Sequence, residues 1–161
     1  MKKNLLIYFG IFTSLAVSRL IPHPPNFTSL LALSFYVPAL LGIRYLPALI
    51  VSFIITDFII GYHTGTHWTW GSVIVIGLMS QYFNKNINWR LSGALIGAIV
   101  FYIITNLGIW TTGMYGFSLS GLIDSYVLAI PFFTYSLIST ILFSLIIEIS
   151  YKLFKTKFIK A

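Results

Sequence analysis

The chain of 161 residues contains no cysteine and only three acidic residues. The first absence rules out a disulfide framework, a thiolate metal site and a cysteine nucleophile. Charge of either sign is scarce: 8% of residues are charged, where a soluble domain carries about 25%. What fills the chain instead is apolar, with 58% hydrophobic and 17% aromatic residues and a mean hydropathy of +0.92. Such a composition belongs to an integral membrane protein. Lys plus Arg total 10, giving a net charge of +7. The basic residues sit mostly at the chain ends and in short loops, which points to membrane topology and anionic lipid rather than to nucleic acid. No soluble domain, low-complexity tract or internal repeat interrupts the pattern.

Met1-Lys2-Lys3-Asn4 and the apolar run after it imitate a signal peptide. No small-residue cleavage site follows before Arg19, so an uncleaved first helix is expected. About 20 apolar residues cross a hydrocarbon core, and on that scale six spans are expected, at about 5–21, 28–42, 45–61, 71–83, 91–110 and 122–151. The second is short, contains Pro38, and is expected to be tilted, kinked or re-entrant. Pro47 falls in the first turn of the third, where its missing N–H costs little. Gly93 and Gly97 stand at GxxxG spacing in the fifth, a helix-packing signal. The expected fold is a single all-α bundle of six transmembrane helices.

Six spans place both termini on one side. Lys2, Lys3, Arg44, Lys85, Arg90, Lys152, Lys155, Lys157 and Lys160 then share that side, against Arg19 alone on the other. The positive-inside rule makes the terminal side cytoplasmic. Glu148 falls near it, where neighbouring lysines are expected to neutralise it.

The other unusual residues collect on the opposite, outer face. Arg19-Leu20-Ile21-Pro22-His23-Pro24-Pro25-Asn26 is the most distinctive stretch: each proline fixes its φ and pushes the preceding residue out of helix, so the segment is stiff and extended. Read alone it is either a rigid part of a site or a connector that stops the first helix. Asp57, His63, His67, Trp68, Trp70, Asn106, Trp110, Tyr115 and Asp124 fall in or beside the same outer connectors. Ionisable groups at membrane depth usually face a bundle interior, a partner or water. A few polar groups among apolar and aromatic walls make a small-molecule pocket, and the inner loops offer nothing comparable. The alternative is that the tryptophans form an interfacial belt and the polar groups cap helix ends.

Three function classes compete. A coupled carrier wants carboxylates or other polar groups near the midplane, whereas here the carboxylates sit near helix ends. A membrane hydrolase would use Asp57 and Asp124 as a dyad sharing one proton, but the Asn/Ala-containing motifs of lipoprotein signal peptidases are missing. His63 and His67 have i, i+4 spacing, yet Thr64-Gly65-Thr66 between them is poor helix without a glutamate base, so no zinc site, cofactor or catalytic residue is expected. A passive binding subunit needs a pocket and a docking face, and fits best. Gly10, Ser14 and Ser18 recur every four residues on the first helix, a small-residue stripe suited to a partner or to packing within the chain.

The stretch Arg19-Leu-Ile-Pro-His-Pro-Pro-Asn-Phe-Thr28 resembles the R-x-x-P-H-P-P-N signature of a widespread bacterial family assigned to transport. That family is related to the substrate-binding S components of energy-coupling factor (ECF) transporters, solitary cobalamin-uptake proteins among them. The likeness continues at Thr56-Asp57-Phe-Ile-Ile-Gly61-Tyr-His63, at Thr105-Asn106-Leu-Gly-Ile-Trp110, at Met114-Tyr115, at Gly121-Leu122 and at Tyr126 with Ala129-Ile130-Pro131-Phe132. The chain departs from the pattern at Ser125, where a cysteine is common, and at Gly116, where a proline is.

The resemblance implies a six-helix bundle that captures a vitamin-like molecule at its outer face and topples on a membrane coupling protein driven by ATPase subunits. Gly10, Ser14 and Ser18 would meet that partner. His63 or His67 would offer an imidazole where some cobalamin-type relatives use a cysteine on cobalt. The ligand set expected is Arg19, His23, Asn26, Asp57, His63, His67, Trp68, Asn106, Trp110, Tyr115 and Asp124. Arg19 is expected to pair with Asp57 or Asp124, or to meet an anionic group of the ligand.

Overall fold

A computed structural model describes residues 2–159, with side chains from Asn4 to Phe154. The side chains of Lys2, Lys3, Lys155, Lys157 and Lys160, which entered the charge count above, lie outside the described residues. Seven α-helices run through the described chain: α1 Lys2–Leu20, α2 Leu30–Tyr36, α3 Leu46–Ile60, α4 Thr66–Met79, α5 Ile87–Thr111, α6 Leu119–Val127 and α7 Ile130–Ile159. No strand occurs among the described residues.

Local chemistry sets most boundaries. Asn86 is extended and its side chain accepts the Trp89 N–H at 3.1 Å, so α5 starts inside the polar loop and includes Arg90. Ser118 caps α6 in the same way through the Gly121 N–H, at 3.1 Å. α3 stops at Gly61, whose φ of 132° is open to glycine but not to other residues. α2 runs into a π-helical turn at Val37–Leu41 containing Pro38, which supplies no N–H to the ladder. The second segment, expected to be tilted, kinked or re-entrant, is thus irregular at this turn.

Side-chain contacts fix the direction of each helix. The Ser18 and Ser29 hydroxyls meet at 2.7 Å, joining the end of α1 to the start of α2. Tyr45 Oη donates to Asn4 Oδ1 at 3.2 Å and Arg19 reaches Asp57 at 2.5 Å, so α3 runs parallel to α1. Gln81 Nε2 donates to the Pro38 carbonyl, placing the end of α4 beside the end of α2. Arg90 reaches Glu148, so the start of α5 meets the far part of α7. The chain thus passes back and forth, and the turns around 21–29, 61–65 and 112–129 share one end.

α2 is the axis of the bundle: Leu30 through Pro38 are all buried. Its side chains divide between two core clusters. Leu30, Leu33 and Val37 pack with Ile11, Leu15, Leu49, Phe53 and Val73. Leu31, Phe35 and Tyr36 pack with Ile76, Ala94 and Ala98. Between apolar helices, close approach at small residues holds the packing together. The predicted Gly93/Gly97 face of α5 does this: an added Cβ would stand 2.6 Å from the Phe35 ring at Gly93 and 3.0 Å from Ile76 at Gly97.

Among the described residues three segments are long and apolar enough to cross a membrane: Ile43–Ile60, Ile87–Thr111 and Ile130–Phe154. Asn4–Leu20 and Leu30–Leu41 are shorter apolar helices. Large side chains such as Leu6, Phe9, Phe58 and Ile149 are exposed outward. An all-helical fold with these segments is compatible with a membrane protein.

Several boundaries differ from those expected, the start of α5 at Ile87 among them. The connector 62–70 is half helix, because α4 begins at Thr66 and carries His67, Trp68 and Trp70 in its opening turns. The expected last span, 122–151, is two helices broken at Leu128–Ala129. Pro131 has no N–H to continue the ladder from α6 and sits instead in the first turn of α7.

Candidate functional site

The end of the bundle shared by the three turns holds a pocket of about 210 Å³. Its walls come from four parts of the chain. Tyr102, Thr105, Asn106 and Ile109 follow one face of α5 at helical spacing, with Phe101 beside them. Ala129, Phe132, Phe133 and Ser136 repeat the same i, i+3, i+4, i+7 spacing at the head of α7. Asn26 closes the pocket from the proline stretch, and His63 and Thr69 from the α3–α4 turn and α4. Three of the expected ligand residues, Asn26, His63 and Asn106, therefore meet in one cavity.

The pocket is stratified. Asn106 and Ser136 are more than nine-tenths buried, at 8% and 3% exposure, while Asn26 and His63 are exposed at the rim. Asn26 takes φ +62°, which asparagine tolerates better than most residues. The His63 ring is set by the Gly65 N–H, which donates to Nδ1 at 3.2 Å. In the neutral ring that leaves the proton on Nε2. The wall is braced from outside: Tyr102 Oη donates to the Tyr126 carbonyl at 2.6 Å and Tyr126 Oη to the Ile103 carbonyl at 2.9 Å. Phe133 stacks on Tyr102 with ring centroids 4.4 Å apart.

The remaining candidates lie elsewhere. Arg19 is bonded to Asp57 and to the Thr56 hydroxyl, and its guanidinium lies 4.6 Å from the Phe53 ring centroid. The other Asp57 oxygen accepts the Trp70 indole N–H at 2.6 Å. Of the partners expected for Arg19, the structure selects Asp57, and both carboxylate oxygens are occupied. Asp124 is exposed on α6 and makes no ion pair among the described residues. His23 brings Nε2 to the Arg19 carbonyl at 3.2 Å and Nδ1 to the Pro24 carbonyl at 2.7 Å, so it closes the end of α1 outside the pocket.

His67 is exposed beside Trp68, ring centroids 5.6 Å apart. Trp68 packs against Gly108. Trp110 donates to the Ser118 carbonyl at 3.2 Å. Tyr115 lies with its carbonyl against Gly121. These aromatic residues surround the same end of the bundle without lining the cavity. No group of three potential metal ligands occurs among the described residues.

Of the small-residue stripe, Gly10 and Ser14 line an apolar groove of about 560 Å³ between α1, α2 and α7. Ser18 is tied to Ser29 on α2.

At the opposite end Arg90 grips Glu148 through two hydrogen bonds of 2.6 and 2.7 Å. The sequence alone assigns Glu148 to neighbouring lysines and does not point to this partner: the α5 cap places Arg90 inside the helix and within reach. The buried Tyr36 and Ser144 hydroxyls lie beside this pair without a hydrogen bond of normal geometry.

Sequence reasoning missed Thr69, Tyr102, Phe132, Phe133 and Ser136. The signal that identifies most of them is the matched spacing on α5 and α7, which becomes informative only once those helices are known to face each other. No curated protein and no solved structure matches the chain. One family model matches, over residues 1–161, and the chain belongs to that family, a family of unknown function (DUF6580).

Proposed function

We propose that this chain is a substrate-binding membrane subunit that captures a small, vitamin-like molecule at the outer face of a bacterial inner membrane. The observation that carries the reading is the convergence of Asn26, His63 and Asn106, from three distant stretches of sequence, on one pocket with aromatic walls. Few polar groups in an apolar cavity is the usual composition of a ligand site. In this reading the back-and-forth passes make a six-span bundle with both termini cytoplasmic, and the excess of Lys and Arg at the terminal end supports that orientation. Gly10 and Ser14, open on their groove, are the surface for an ECF-type coupling protein with its ATPase subunits.

A binding role is favoured over an aspartate dyad because both oxygens of Asp57 already accept hydrogen bonds, from Arg19 and Trp70. A dyad needs a carboxyl group able to share its proton with a second one.

The test is thermal unfolding of the purified chain in detergent against water-soluble vitamins, corrinoids and their precursors. A true ligand raises the melting temperature by mass action, and the rise shrinks in Asn106→Leu and His63→Ala. If no compound stabilises the folded protein, the outer-pocket reading fails.

A further inference from the structure

Most of the hydrogens on the pocket's polar groups are already donated to backbone carbonyls. Thr105 Oγ1 donates to the Phe101 carbonyl at 2.8 Å, Ser136 Oγ to the Phe132 carbonyl at 3.1 Å and Thr69 Oγ1 to the Thr66 carbonyl at 2.7 Å. A hydroxyl has one hydrogen, so each presents only lone pairs to any further partner. Asn106 differs in one respect. Its Nδ2 donates one hydrogen to the Tyr102 carbonyl at 2.7 Å, which fixes the amide orientation and leaves the second N–H and the Oδ1 acceptor without a hydrogen bond among the described residues. The Tyr102 hydroxyl hydrogen goes to the Tyr126 carbonyl. The lining thus offers acceptors from α4, α5 and α7, two of them deeply buried, together with the rings of Phe101, Tyr102, Phe132 and Phe133.

No Asp, Glu, Lys or Arg lines the cavity. Arg19, the cation that an anionic ligand would seek at this end, is held by Asp57 and Thr56. The donors that the lining retains are the second Asn106 N–H inside and, at the exposed rim, His63 Nε2 and the Asn26 amide.

From this arrangement we infer that the pocket takes a compact molecule with a hydrogen-bond-donating nitrogen head, an amine or ammonium group on a flat apolar body. The head goes inward to Asn106 Oδ1 and Ser136 Oγ. The rings hold the body and attract a cationic head by their π faces. Carboxylates and phosphates are disfavoured, because inside the pocket they would face the lone pairs of Thr69, Thr105 and Ser136 with one Asn106 N–H and no Lys or Arg to offset the loss of water. This assignment rests on the pocket being the ligand site proposed above.

The test uses three probes of one shape: benzylamine, benzyl alcohol and benzoate. Their binding to the full chain in detergent is followed by saturation-transfer NMR, which detects weak ligands. Benzylamine is expected to bind best and benzoate weakest. Asn106→Leu and Ser136→Ala are each expected to weaken benzylamine by about three- to tenfold, the usual effect of one hydrogen bond. Ser136→Ala is the gentler change and covers the case in which Asn106→Leu fails to fold.

Benzoate binding as tightly as benzylamine, with loss in the same variants, would overturn the donor-head assignment and leave the pocket standing as a site. Benzylamine binding that is unchanged in folded Ser136→Ala and Asn106→Leu would place the amine elsewhere and overturn it as well. No binding by any probe, together with no stabilisation by the vitamin panel, would remove both the assignment and the pocket reading beneath it.

Discussion

Arg19 and Asp57 stand in the last turns of α1 and α3 with Nη2 and Oδ1 2.5 Å apart, and Trp70 of α4 completes the carboxylate at 2.6 Å. Three helices are joined through one acidic group. Its side chain is 10% exposed and that of Arg19 13%, so water contributes little to either charge. Breaking such a pair strands the surviving charge, at a cost of about 3 kcal/mol or more, whereas replacing both partners by apolar residues of similar size is often close to neutral. Asp57→Leu and Arg19→Met are each expected to lower stability by that order, and the double variant to recover most of the loss. Denaturant unfolding in detergent, arranged as a double-mutant cycle, checks this. Additive losses would show that the two side chains stabilise the fold independently.

Arg90 and Glu148 form the corresponding clamp at the other end, between α5 and α7, and here the geometry is bidentate. A guanidinium matches a carboxylate with two parallel bonds, and an ammonium cannot. Arg90→Lys keeps the charge and is expected to cost about 1–2 kcal/mol. Glu148→Gln leaves Arg90 without a counter-charge and is expected to cost about 3 kcal/mol. Equal unfolding midpoints for Arg90→Lys and the parent protein would mean that the second hydrogen bond contributes nothing.

Much of this architecture can be read from residue order. The all-helical class, the packing face at Gly93 and Gly97, an irregularity at Pro38 and a carboxylate partner for Arg19 follow from residue types acting within one helix or on a scarce partner; which aspartate Arg19 takes, and the break within 122–151, do not. Two features stay hidden for a common reason. Asn86 looks like loop, and only its cap turns Arg90 from a surface charge into the partner of Glu148. Phe132 and Ser136 look like ordinary apolar-helix residues until the break at Leu128–Ala129 sets the head of α7 against Tyr102 and Asn106. Histidine and tryptophan drew attention by rarity, yet His23, Trp68 and Trp110 hold the frame around the pocket. Side-chain identity marks a functional neighbourhood, but which residues line the cavity depends on helix phase.

His23 tests that distinction. Its ring nitrogens approach two backbone carbonyls, one of them the Arg19 carbonyl in the last turn of α1, which is a helix-capping arrangement. His23→Ala is expected to cost about 1 kcal/mol while leaving affinity for the stabilising ligand unchanged, because the pocket is lined by Asn26 and not by His23. Melting temperature and a binding isotherm on the same preparation separate the two effects. Loss of affinity without loss of stability would return His23 to the site.

Two glycines make the last comparison. A Cβ on Gly108 would stand 2.3 Å from Cγ of Trp68, whereas one on Gly10 would meet nothing within 4 Å. Alanine is the better helix former by about 1 kcal/mol, so helix propensity alone makes both substitutions stabilising. At Gly10 nothing opposes that gain, and Gly10→Ala is expected to be neutral or slightly stabilising. At Gly108 the ring of Trp68 must move, and overpacking of this kind costs about 1–3 kcal/mol, enough to reverse the sign. Trp68 lies in the opening turn of α4, one residue before Thr69, and Gly108 precedes Ile109, so the displacement falls on two walls of the pocket. Gly108→Ala is therefore expected to lose stability and ligand affinity together, while Gly10→Ala loses neither. Matching unfolding curves for the two variants would mean that α4 and α5 have room to separate at this end, and that the pocket is looser than its contacts indicate.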